Sequence, residues 1–274
     1  MSITPDDLRH VGTILSTVAQ AEIMPRFARL SRSQVRQKSS SFDVVTDADE
    51  AAEASISAQL LAAFPGATVI GEEAAHRQAE LLQQVQGAAL AFIVDPLDGT
   101  RNFSSGLPLF GVMAAITMHG EVVGGVIHDP VRRDSAFALK GGGAWLVHED
   151  GTRSDLRVAA PCPVAKMEGI VGTNFLPEPM RTTVNSHLSR LAMSNWFRCA
   201  AHEYRMAAAG HCHVLFYNKL MPWDHAAGWL LHREAGGFSA HFDGTAYLPS
   251  HTTGGLICAP DEASWHEVRA ALLG

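Results

Sequence analysis

Charged residues are scarce in this sequence, at 18% of 274 residues, while hydrophobic residues make up 47%. This balance argues against intrinsic disorder, which requires high charge and little hydrophobic content. The net charge is −7 and no run of Lys or Arg stands out, so a basic surface for nucleic acid is not indicated. An uninterrupted apolar run of roughly 18 residues is also missing, so no membrane span is expected. The composition therefore predicts a globular protein with a substantial core.

Cysteine is rare as well, and its placement excludes a disulfide framework. None of the cysteines forms a C-x-x-C pair; the four are Cys162, Cys199, Cys212 and Cys258. Buried free thiols in a reducing compartment are the simplest interpretation. The N-terminal residues also lack the basic and apolar regions of a secretory signal. We therefore expect a cytoplasmic protein.

Hydrophobic periodicity predicts helices and strands in both halves of the chain. Helices are expected over 4–20, 46–64, 76–86, about 179–193, from about 203, 224–235 and after 260. Strands are expected over 67–71, 90–94, 169–173, 195–200, 212–217, 237–242 and 255–259, with an antiparallel meander over 109–147. The Ser-rich segment 31–45 is expected to be a surface loop. We predict an N-terminal α+β half, residues 1–150, and a C-terminal α/β half, residues 151–274, in a layered α/β or α+β sandwich.

The stretch 92-FIVDPLDGTRNF-103 carries the strongest chemical signal. A buried strand stops at Asp95, Pro96 breaks the ladder, and Asp98 follows three residues later. Two carboxylates so close repel each other unless a cation neutralises them, and Mg²⁺ prefers oxygen ligands of this kind. Gly99 allows close approach of the backbone, and Thr100 adds a hydroxyl at an expected helix start. The pattern favours metal-assisted phosphoryl transfer, although ordinary Asx turns remain an alternative.

Other acidic residues also stand at strand ends or helix starts. Glu72 and Glu73 directly follow the strand 67–71, and Asp224 opens a predicted helix. Both Asp224 and Asp49 could also have a purely structural role instead of a chemical one. Asp224 could be the N-cap of its helix, and Asp49 could complete a capping box that begins at Thr46. Spacing alone does not show that these carboxylates converge.

Five motifs, in a fixed order along the chain, resemble those of the inositol monophosphatase family. They are 43-DVVTDAD-49, 71-GEE-73, 95-DPLDGTRNF-103, 125-GVIHDPVRRDSAFALKGGGAW-145 and 223-WDHAAGWLLHREAGG-237. The DPLDGT and WD…EAGG elements, together and in this order, are the specific part. The resemblance implies a layered α-β-α-β-α sandwich of the inositol monophosphatase and fructose-1,6-bisphosphatase type. It also implies a Mg²⁺-dependent phosphatase that is sensitive to lithium.

The resemblance assigns roles to the acidic side chains. A first metal would be held by Glu72, Asp95 and the carbonyl of Leu97. A second would be held by Asp95, Asp98 and Asp224, with Asp95 bridging the two. A third, weaker ion near Glu72 would give two or three Mg²⁺ ions per site, and Glu72 is therefore counted among the catalytic residues as well.

The resemblance also assigns the groups that handle water and phosphate. Thr100 with Asp49 would orient and deprotonate the attacking water, and the backbone N–H groups of Gly99 and Thr100 would bind phosphate. Asp98 and Asp224 are expected to contact substrate in addition to metal. Two further matched positions, of less defined role, are Lys38 and Asp43.

The part of the family pattern that selects the substrate is altered in this chain. Where familiar inositol phosphatases have small residues after the strand placed at 195–200, this chain has 201-AHEYRMAAAG-210. Near the position of an inositol-binding acid it has Tyr217. The residues expected to select substrate are therefore His202, Glu203, Tyr217 and Lys219, with an alternative in which they only surround the site.

The sequence thus predicts a Mg²⁺-dependent phosphomonoesterase that hydrolyses a small phosphorylated metabolite by metal-activated attack of water. Inositol phosphate is one possible substrate. Fructose 1,6-bisphosphate, histidinol phosphate, a 3′-phosphoadenosine nucleotide and NADP stay open. A regulatory binding protein that uses the same fold without catalysis is the alternative from another class. A homodimer is expected from the resemblance, with no nucleic-acid or membrane partner.

Overall fold

The computed structural model describes residues 2–29, 35–40 and 43–274. The helices are α1 Pro5–Val18, α2 Asp47–Ala63, α3 Glu72–Arg77, α4 Gln84–Gly87, α5 Thr100–Ser104, α6 Met180–His187, α7 Ala200–Ala208, α8 Pro222–Glu234 and α9 Glu262–Leu273. The strands are β1 Val35–Ser40, β2 Asp43–Thr46, β3 Thr68–Gly71, β4 Ala91–Asp98, β5 Gly111–Met118, β6 Glu121–Asp129, β7 Asp134–Leu139, β8 Gly143–Val147, β9 Arg153–Asp155, β10 Glu168–Val171, β11 Met193–Asn195, β12 Val214–Tyr217, β13 Phe238–Ala240 and β14 Leu256–Ala259. Short 3₁₀ or π turns are Ala19–Ile23, Met24–Arg26, Ala79–Gln83, Val164–Lys166 and Leu188–Arg190. Within these described ranges, none of the helices has the length and apolar character that crossing a bilayer requires.

The first two long helices begin at capping boxes that the sequence spells out. Thr4 and Asp7 cap α1, and Thr46 and Asp49 cap α2; in each pair the Thr side chain accepts from the backbone inside the helix while the Asp side chain accepts from the Thr backbone N–H. These reciprocal bonds satisfy N–H groups that the helix itself leaves unpaired.

A seven-stranded sheet occupies the first half of the structure, in the order β3-β4-β5-β6-β7-β8-β9. β3 and β4 run parallel, and the other neighbours are antiparallel. Side chains along a strand point alternately to the two faces. Phe92 and Val94 therefore pack with α1 and α2 on one face, while Ala91 and Ile93 pack with α7 and α8 on the other. Burial on both faces explains why β4 reads as a continuous apolar run.

A five-stranded sheet lies in the second half, in the order β11-β10-β12-β14-β13. β10 runs parallel to both β11 and β12, so the carboxyl ends of these three strands meet at one edge. Alternate residues again separate the faces. Val214 and Phe216 of β12 pack with Val184 of α6 and Trp265 of α9, whereas Leu215 belongs to the core that contains α7 and α8.

The layers are therefore α1 and α2, the seven-stranded sheet, α7 and α8, the five-stranded sheet, and finally α6 and α9. This α-β-α-β-α order confirms the predicted layered sandwich. The central helix α8 is closely packed, because a Cβ on Gly228 would lie 2.0 Å from the Tyr204 ring of α7. α8 also packs on the seven-stranded sheet although it belongs to the C-terminal half. The division into residues 1–150 and 151–274 stays a prediction.

Residues 31–45 were expected to form a surface loop, and this expectation was wrong for the part of the segment that the structure describes. β1 and β2 form an antiparallel pair that extends from Val35 opposite Thr46 to Ser40 opposite Asp43. Backbone pairing does not require the alternation of apolar side chains that marks a half-buried strand, so this polar segment lacks the usual signal. The side chains of Lys38 and Asp43 lie outside the described part of the chain.

Two other element boundaries also differ from expectation. The strand expected over 195–200 ends at Asn195, and α7 begins at Ala200 rather than near Glu203. Arg198 between them has φ 59°, a left-handed conformation that no regular strand contains. The helix expected over 76–86 is divided into α3, a 3₁₀ turn and α4.

Candidate active site

The carboxyl end of β4 bends where the sequence places its two aspartates. Asp95 lies opposite Met113 and Asp98 opposite Gly111, with an irregular register between them. Pro96 lacks the N–H that a regular ladder requires. The Oδ1 atom of Asp95 accepts a hydrogen bond from the N–H of Leu97 at 3.0 Å. The Asx turn that the sequence left open as an alternative is therefore present at Asp95. It does not replace a metal site, because carboxylates are also grouped at the same bend.

Three carboxylates from distant parts of the sequence meet at this bend. One oxygen from each of Asp95, Asp98 and Asp224 lies within 4.8 Å of the others. Asp224 is in the first turn of α8, whose N-cap is Met221, so it is not the simple N-cap that the sequence allowed. Glu72, at the start of α3, is close enough to raise the pKa of Asp95. The packing of α8 between the sheets therefore produces the convergence that spacing alone left open.

Burial and repulsion by neighbouring carboxylates raise the pKa of Asp95 and of Asp98. For Asp95, burial is the largest cause, followed by the negative charges of Glu72, Asp98 and Asp224. Burial also dominates for Asp98, followed by the charge of Asp224. The Asp98 carboxylate is held in place by the N–H of Ala201 and by the Cys199 thiol, whose Sγ lies 3.2 Å from Oδ2. These contacts fix the Asp98 carboxylate within 4.8 Å of the carboxylates of Asp95 and Asp224.

This donor set fits a hard divalent cation. Mg²⁺ binds oxygen ligands, and several carboxylates within 4.8 Å offer them at a spacing that one or more cations would neutralise. Cations from the solvent would also relieve the repulsion that raises the pKa of Asp95. The carbonyl of Leu97 lines the same cavity and adds a neutral oxygen.

A hydroxyl–carboxylate pair stands beside the acidic cluster. Thr100 Oγ1 lies 2.9 Å from Oδ1 of Asp49, to which it donates, and 2.8 Å from the carbonyl oxygen of Leu97. The other oxygen of Asp49, Oδ2, accepts from the backbone N–H and the hydroxyl of Thr46. Asp49 therefore completes the capping box and holds Thr100 at the same time. Burial raises the pKa of Asp49 to about 6, although its hydrogen bonds with Thr46 and Thr100 oppose the shift.

The turn between Asp98 and Thr100 requires glycine. Gly99 has φ 87°, and a Cβ there would lie 2.8 Å from the carbonyl oxygen of Leu109 and 3.2 Å from Cys199. This open backbone faces the cavity beside the carboxylates. It leaves room for a ligand to approach the N–H groups of Gly99 and Thr100.

The residues expected to select substrate do not all reach the cavity. Glu203, Tyr217 and Lys219 line it, together with the carboxylates. His202 lies elsewhere: its Nε2 is 3.1 Å from the carbonyl oxygen of Phe110 and 3.9 Å from Asp129. Small residues do stand at the start of α7, because the helix begins with Ala200 and Ala201, and the N–H of Ala201 contacts Asp98.

Glu203 is a buried acid at the base of the cavity. It accepts a hydrogen bond from the N–H of Phe197 at 3.1 Å and thereby holds the loop before α7. Burial raises the pKa of Glu203 to about 7, and its contacts with Tyr217 and the 197–199 backbone partly offset this. The Tyr217 hydroxyl is buried nearby and makes no hydrogen bond of good geometry within the described residues.

Several cavity residues were missed by the sequence argument. The cavity has a volume of about 420 Å³, within the range that small molecules occupy. Its additional lining groups include His76 of α3 and four residues of loops whose sequence carries no catalytic motif: Phe175, Trp196, Arg198 and Cys199. Most of them follow the carboxyl ends of β10 and β11. Such edges are the usual ligand sites of parallel strands, which is the one signal that could have identified these loops.

Comparison with known proteins places this geometry in a family. The model of the inositol monophosphatase family matches residues 6–273. The protein named inositol-1-monophosphatase from Rhizobium meliloti is 34% identical over 209 residues, which are 74% of this chain and 73% of the relative. The protein named Nus factor SuhB from Haemophilus influenzae is 33% identical over 230 residues, 80% of this chain and 78% of the relative. The crystal structure of extragenic suppressor protein suhB from Bartonella henselae has a TM-score of 0.76 at 28% identity, covering 96% of this chain and 93% of that one.

Proposed function

The chain belongs to the inositol monophosphatase family, and on that premise we propose that it is a Mg²⁺-dependent phosphomonoesterase of small phosphorylated metabolites. The grouping of the Asp95, Asp98 and Asp224 carboxylates within 4.8 Å is the observation that carries the proposal. The Thr100–Asp49 pair beside them supplies what a hydrolase needs to position and deprotonate water. Membership of the family supports phosphatase chemistry, whereas the identity of the ester is part of the proposal.

Glu72, Asp95, Asp98, Asp224 and the carbonyl of Leu97 would hold two or three Mg²⁺ ions. When bound, these ions supply positive charge that acidifies water and stabilises phosphate oxygens. The chain brings these oxygen ligands together through the bend in β4 and the first turn of α8.

The reaction needs a water held in line with the phosphorus–ester bond. Because the Thr100 hydroxyl donates to Asp49, its lone pairs are free to accept a hydrogen bond from that water. As the water oxygen bonds to phosphorus, the water proton moves to Thr100 and the Thr100 proton moves to Asp49. The ester bond breaks, and its electron pair stays on the leaving oxygen, which takes a proton from a solvent water molecule to become the alcohol product. Asp49 then returns its proton to the solvent. The N–H groups of Gly99 and Thr100 hold the phosphate oxygens.

Phosphate release from a panel of esters, with Mg²⁺ and with EDTA, tests this proposal directly. The panel should contain inositol 1-phosphate, fructose 1,6-bisphosphate, histidinol phosphate, adenosine 3′,5′-bisphosphate and NADP. We expect hydrolysis of at least one ester with Mg²⁺, none with EDTA, and a strong loss of activity in Asp95→Asn. Hydrolysis that survives both EDTA and Asp95→Asn would show that the metal assignment is wrong.

A second function is favoured by one specific finding. The relative from Haemophilus influenzae is named Nus factor SuhB, which points to a regulatory role of that protein. The corresponding candidate here is a binding protein that uses the same fold without catalysis. Rescue of a gene-deletion phenotype by Asp95→Asn as fully as by the wild-type protein would favour this candidate over the phosphatase.

Lithium sensitivity, a homodimeric state and a cytoplasmic location complete the proposal. Inhibition by millimolar LiCl in the phosphatase assay and the molar mass from light scattering check the first two. A fractionation experiment with the tagged protein checks the third.

A further inference from the structure

Three loops form one wall of the candidate active site, and all of them leave the five-stranded sheet at the same edge. The loop 172–175 follows β10, the loop 196–199 follows β11, and residues 218–219 follow β12. Because β10 is parallel to both β11 and β12, these carboxyl ends lie side by side. The fold therefore brings residues about 20 to 45 positions apart into one surface that faces a ligand.

Two cations on this wall have no carboxylate partner among the residues that the structure describes. Arg198 is half-buried and Lys219 is exposed, and both line the cavity. By contrast, Arg181, which also lines the cavity, lies 2.8 Å from Glu178, and the buried end of Arg205 contacts Asp134. A half-buried guanidinium without a counter-ion is costly unless a ligand supplies one.

The conformation of Arg198 is fixed by the protein around it. Its φ of 59° is unusual for a residue other than glycine. The buried Glu203 accepts the N–H of Phe197 on one side, and the Cys199 thiol contacts Asp98 on the other. Arg198 is thus held one residue away from a group that touches the acidic cluster, yet it makes no ion pair with that cluster within the described residues. A strained residue kept in place by its surroundings often has a role in binding.

The same wall carries two exposed aromatic rings. Phe175 is 55% exposed and Trp196 is 40% exposed, high values for side chains that line a cavity. Lys219 Nζ lies 5.6 Å from the centre of the Phe175 ring, and the Trp196 indole lies beside the backbone of Gly172. Flat apolar surfaces next to unpaired cations suit a ring that itself bears an anionic group.

We propose that Arg198 and Lys219 form a subsite for a second anionic group, so that the preferred substrate is a bisphosphorylated metabolite rather than a monophosphate. The inference rests on the proposed function, because the phosphate that is hydrolysed would occupy the carboxylate site while the second phosphate contacts this wall. Arg198 provides the planar, bidentate contact and Lys219 provides a second positive charge. The phosphate that is retained in the product stays at this subsite while the other is hydrolysed.

Matched pairs of esters test the proposal, since each pair differs in one phosphate. The pairs are 3′-AMP with adenosine 3′,5′-bisphosphate, and fructose 1-phosphate with fructose 1,6-bisphosphate. The kcat/KM ratio within each pair is measured with Mg²⁺ for the wild type, Arg198→Gln, Arg198→Lys and Lys219→Met. A remote charge control is Arg153→Gln, because Arg153 stacks on Trp145 and pairs with Asp155 at the far edge of the seven-stranded sheet.

We expect the wild type to prefer the bisphosphate of at least one pair by about tenfold or more, as loss of a charge-assisted hydrogen bond would predict. Arg198→Gln should remove most of this preference, Arg198→Lys should retain part of it, and the Arg153 control should not change it. A larger ratio for the nucleotide pair would identify a base on the aromatic rings, and a larger ratio for the fructose pair would identify a sugar.

Two results would overturn the proposal. One is equal kcat/KM within both pairs for the wild type, and the other is an equal loss for both members of a pair in Arg198→Gln. Binding supplies a readout that does not depend on turnover: calorimetric titration should show 5′-AMP binding more tightly than adenosine, with the difference lost in Arg198→Gln. If 5′-AMP and adenosine bind alike, the subsite is absent. If no ester is hydrolysed but 5′-AMP binding depends on Arg198, the proposed function fails and the anion subsite remains.

Discussion

Replacement of Asp95 by Asn should stabilise the metal-free protein while it removes the response to Mg²⁺. Asp95 is 1% exposed, and its Oδ1 accepts from the N–H of Leu97, a bond that the amide oxygen of Asn can keep. The substitution therefore changes the charge and little of the shape. For a buried carboxylate that serves only the fold, loss of the charge and its partners would instead destabilise the protein.

The size of the effect follows from the distances in the cluster. Two negative charges at most 4.8 Å apart repel by at least about 3.5 kcal/mol at an effective dielectric constant of about 20. The metal-free protein avoids part of this cost because the raised pKa of Asp95 and Asp98 keeps protons in the cluster. An acid whose folded pKa is raised loses stability as pH rises above its unfolded value. We therefore expect Asp95→Asn to gain about 1–3 kcal/mol over the wild type at pH 8 in EDTA, and less at pH 5.

Scanning calorimetry with EDTA and with excess MgCl₂ measures both parts of the prediction. A ligand at 100 times its Kd stabilises by about 2.7 kcal/mol, or roughly 5–10 °C in Tm for a chain of this size. The wild type should show that shift and Asp95→Asn should show little of it. Asp134→Asn is the matched control, because Asp134 is equally buried but pairs with Arg205. It should lose stability in both conditions and keep the Mg²⁺ shift.

The prediction is contradicted if Asp95→Asn melts below the wild type in EDTA and still shows the full increase of Tm in MgCl₂. That pair of results would assign Asp95 a structural role and place the cation elsewhere. If Asp95→Asn melts above the wild type in EDTA but still responds to Mg²⁺, the repulsion within the cluster is confirmed. The assignment of Asp95 as a metal ligand is then wrong.

Three further predictions concern the catalytic pair and the packing of the central helix. Thr100→Val should lower kcat by about 10²–10⁴-fold, because the hydroxyl that contacts Asp49 is lost. The Mg²⁺-induced Tm shift should be kept, because the carboxylates remain. An unchanged kcat would exclude Thr100 from water activation. Because burial raises the pKa of Asp49 to about 6, kcat/KM should rise with pH up to about 6 as Asp49 becomes able to accept a proton, and a flat profile from pH 5 to 8 would contradict this role. Gly228→Ala should lower the free energy of unfolding by about 1–3 kcal/mol, because the added Cβ would lie 2.0 Å from the Tyr204 ring. Denaturant titration measures the change. An unaltered midpoint would show that α7 and α8 separate easily.

Local features of the sequence were sufficient to predict most helices and strands and the chemistry of the stretch 92–103. The capping boxes at Thr4 and Thr46 involve residues three positions apart, so their hydrogen bonds are specified by spacing alone. The apolar run that ends at Asp95 identified a doubly buried strand, and the motif order identified the family. These features depend on contacts within a few residues, which a linear pattern records directly.

The convergence of the site was decided by tertiary structure. Asp98 receives the N–H of Ala201, and Asp224 reaches both aspartates only because α8 packs between two sheets. His202 was expected to contact substrate, but the fold turns it toward Phe110 and away from the cavity. Arg198 was not expected in the site; its left-handed backbone lies between the end of β11 and the start of α7. Residue types and spacing determine which groups a segment can offer. The distance between groups a hundred residues apart depends on how whole layers pack, and no local pattern contains that distance.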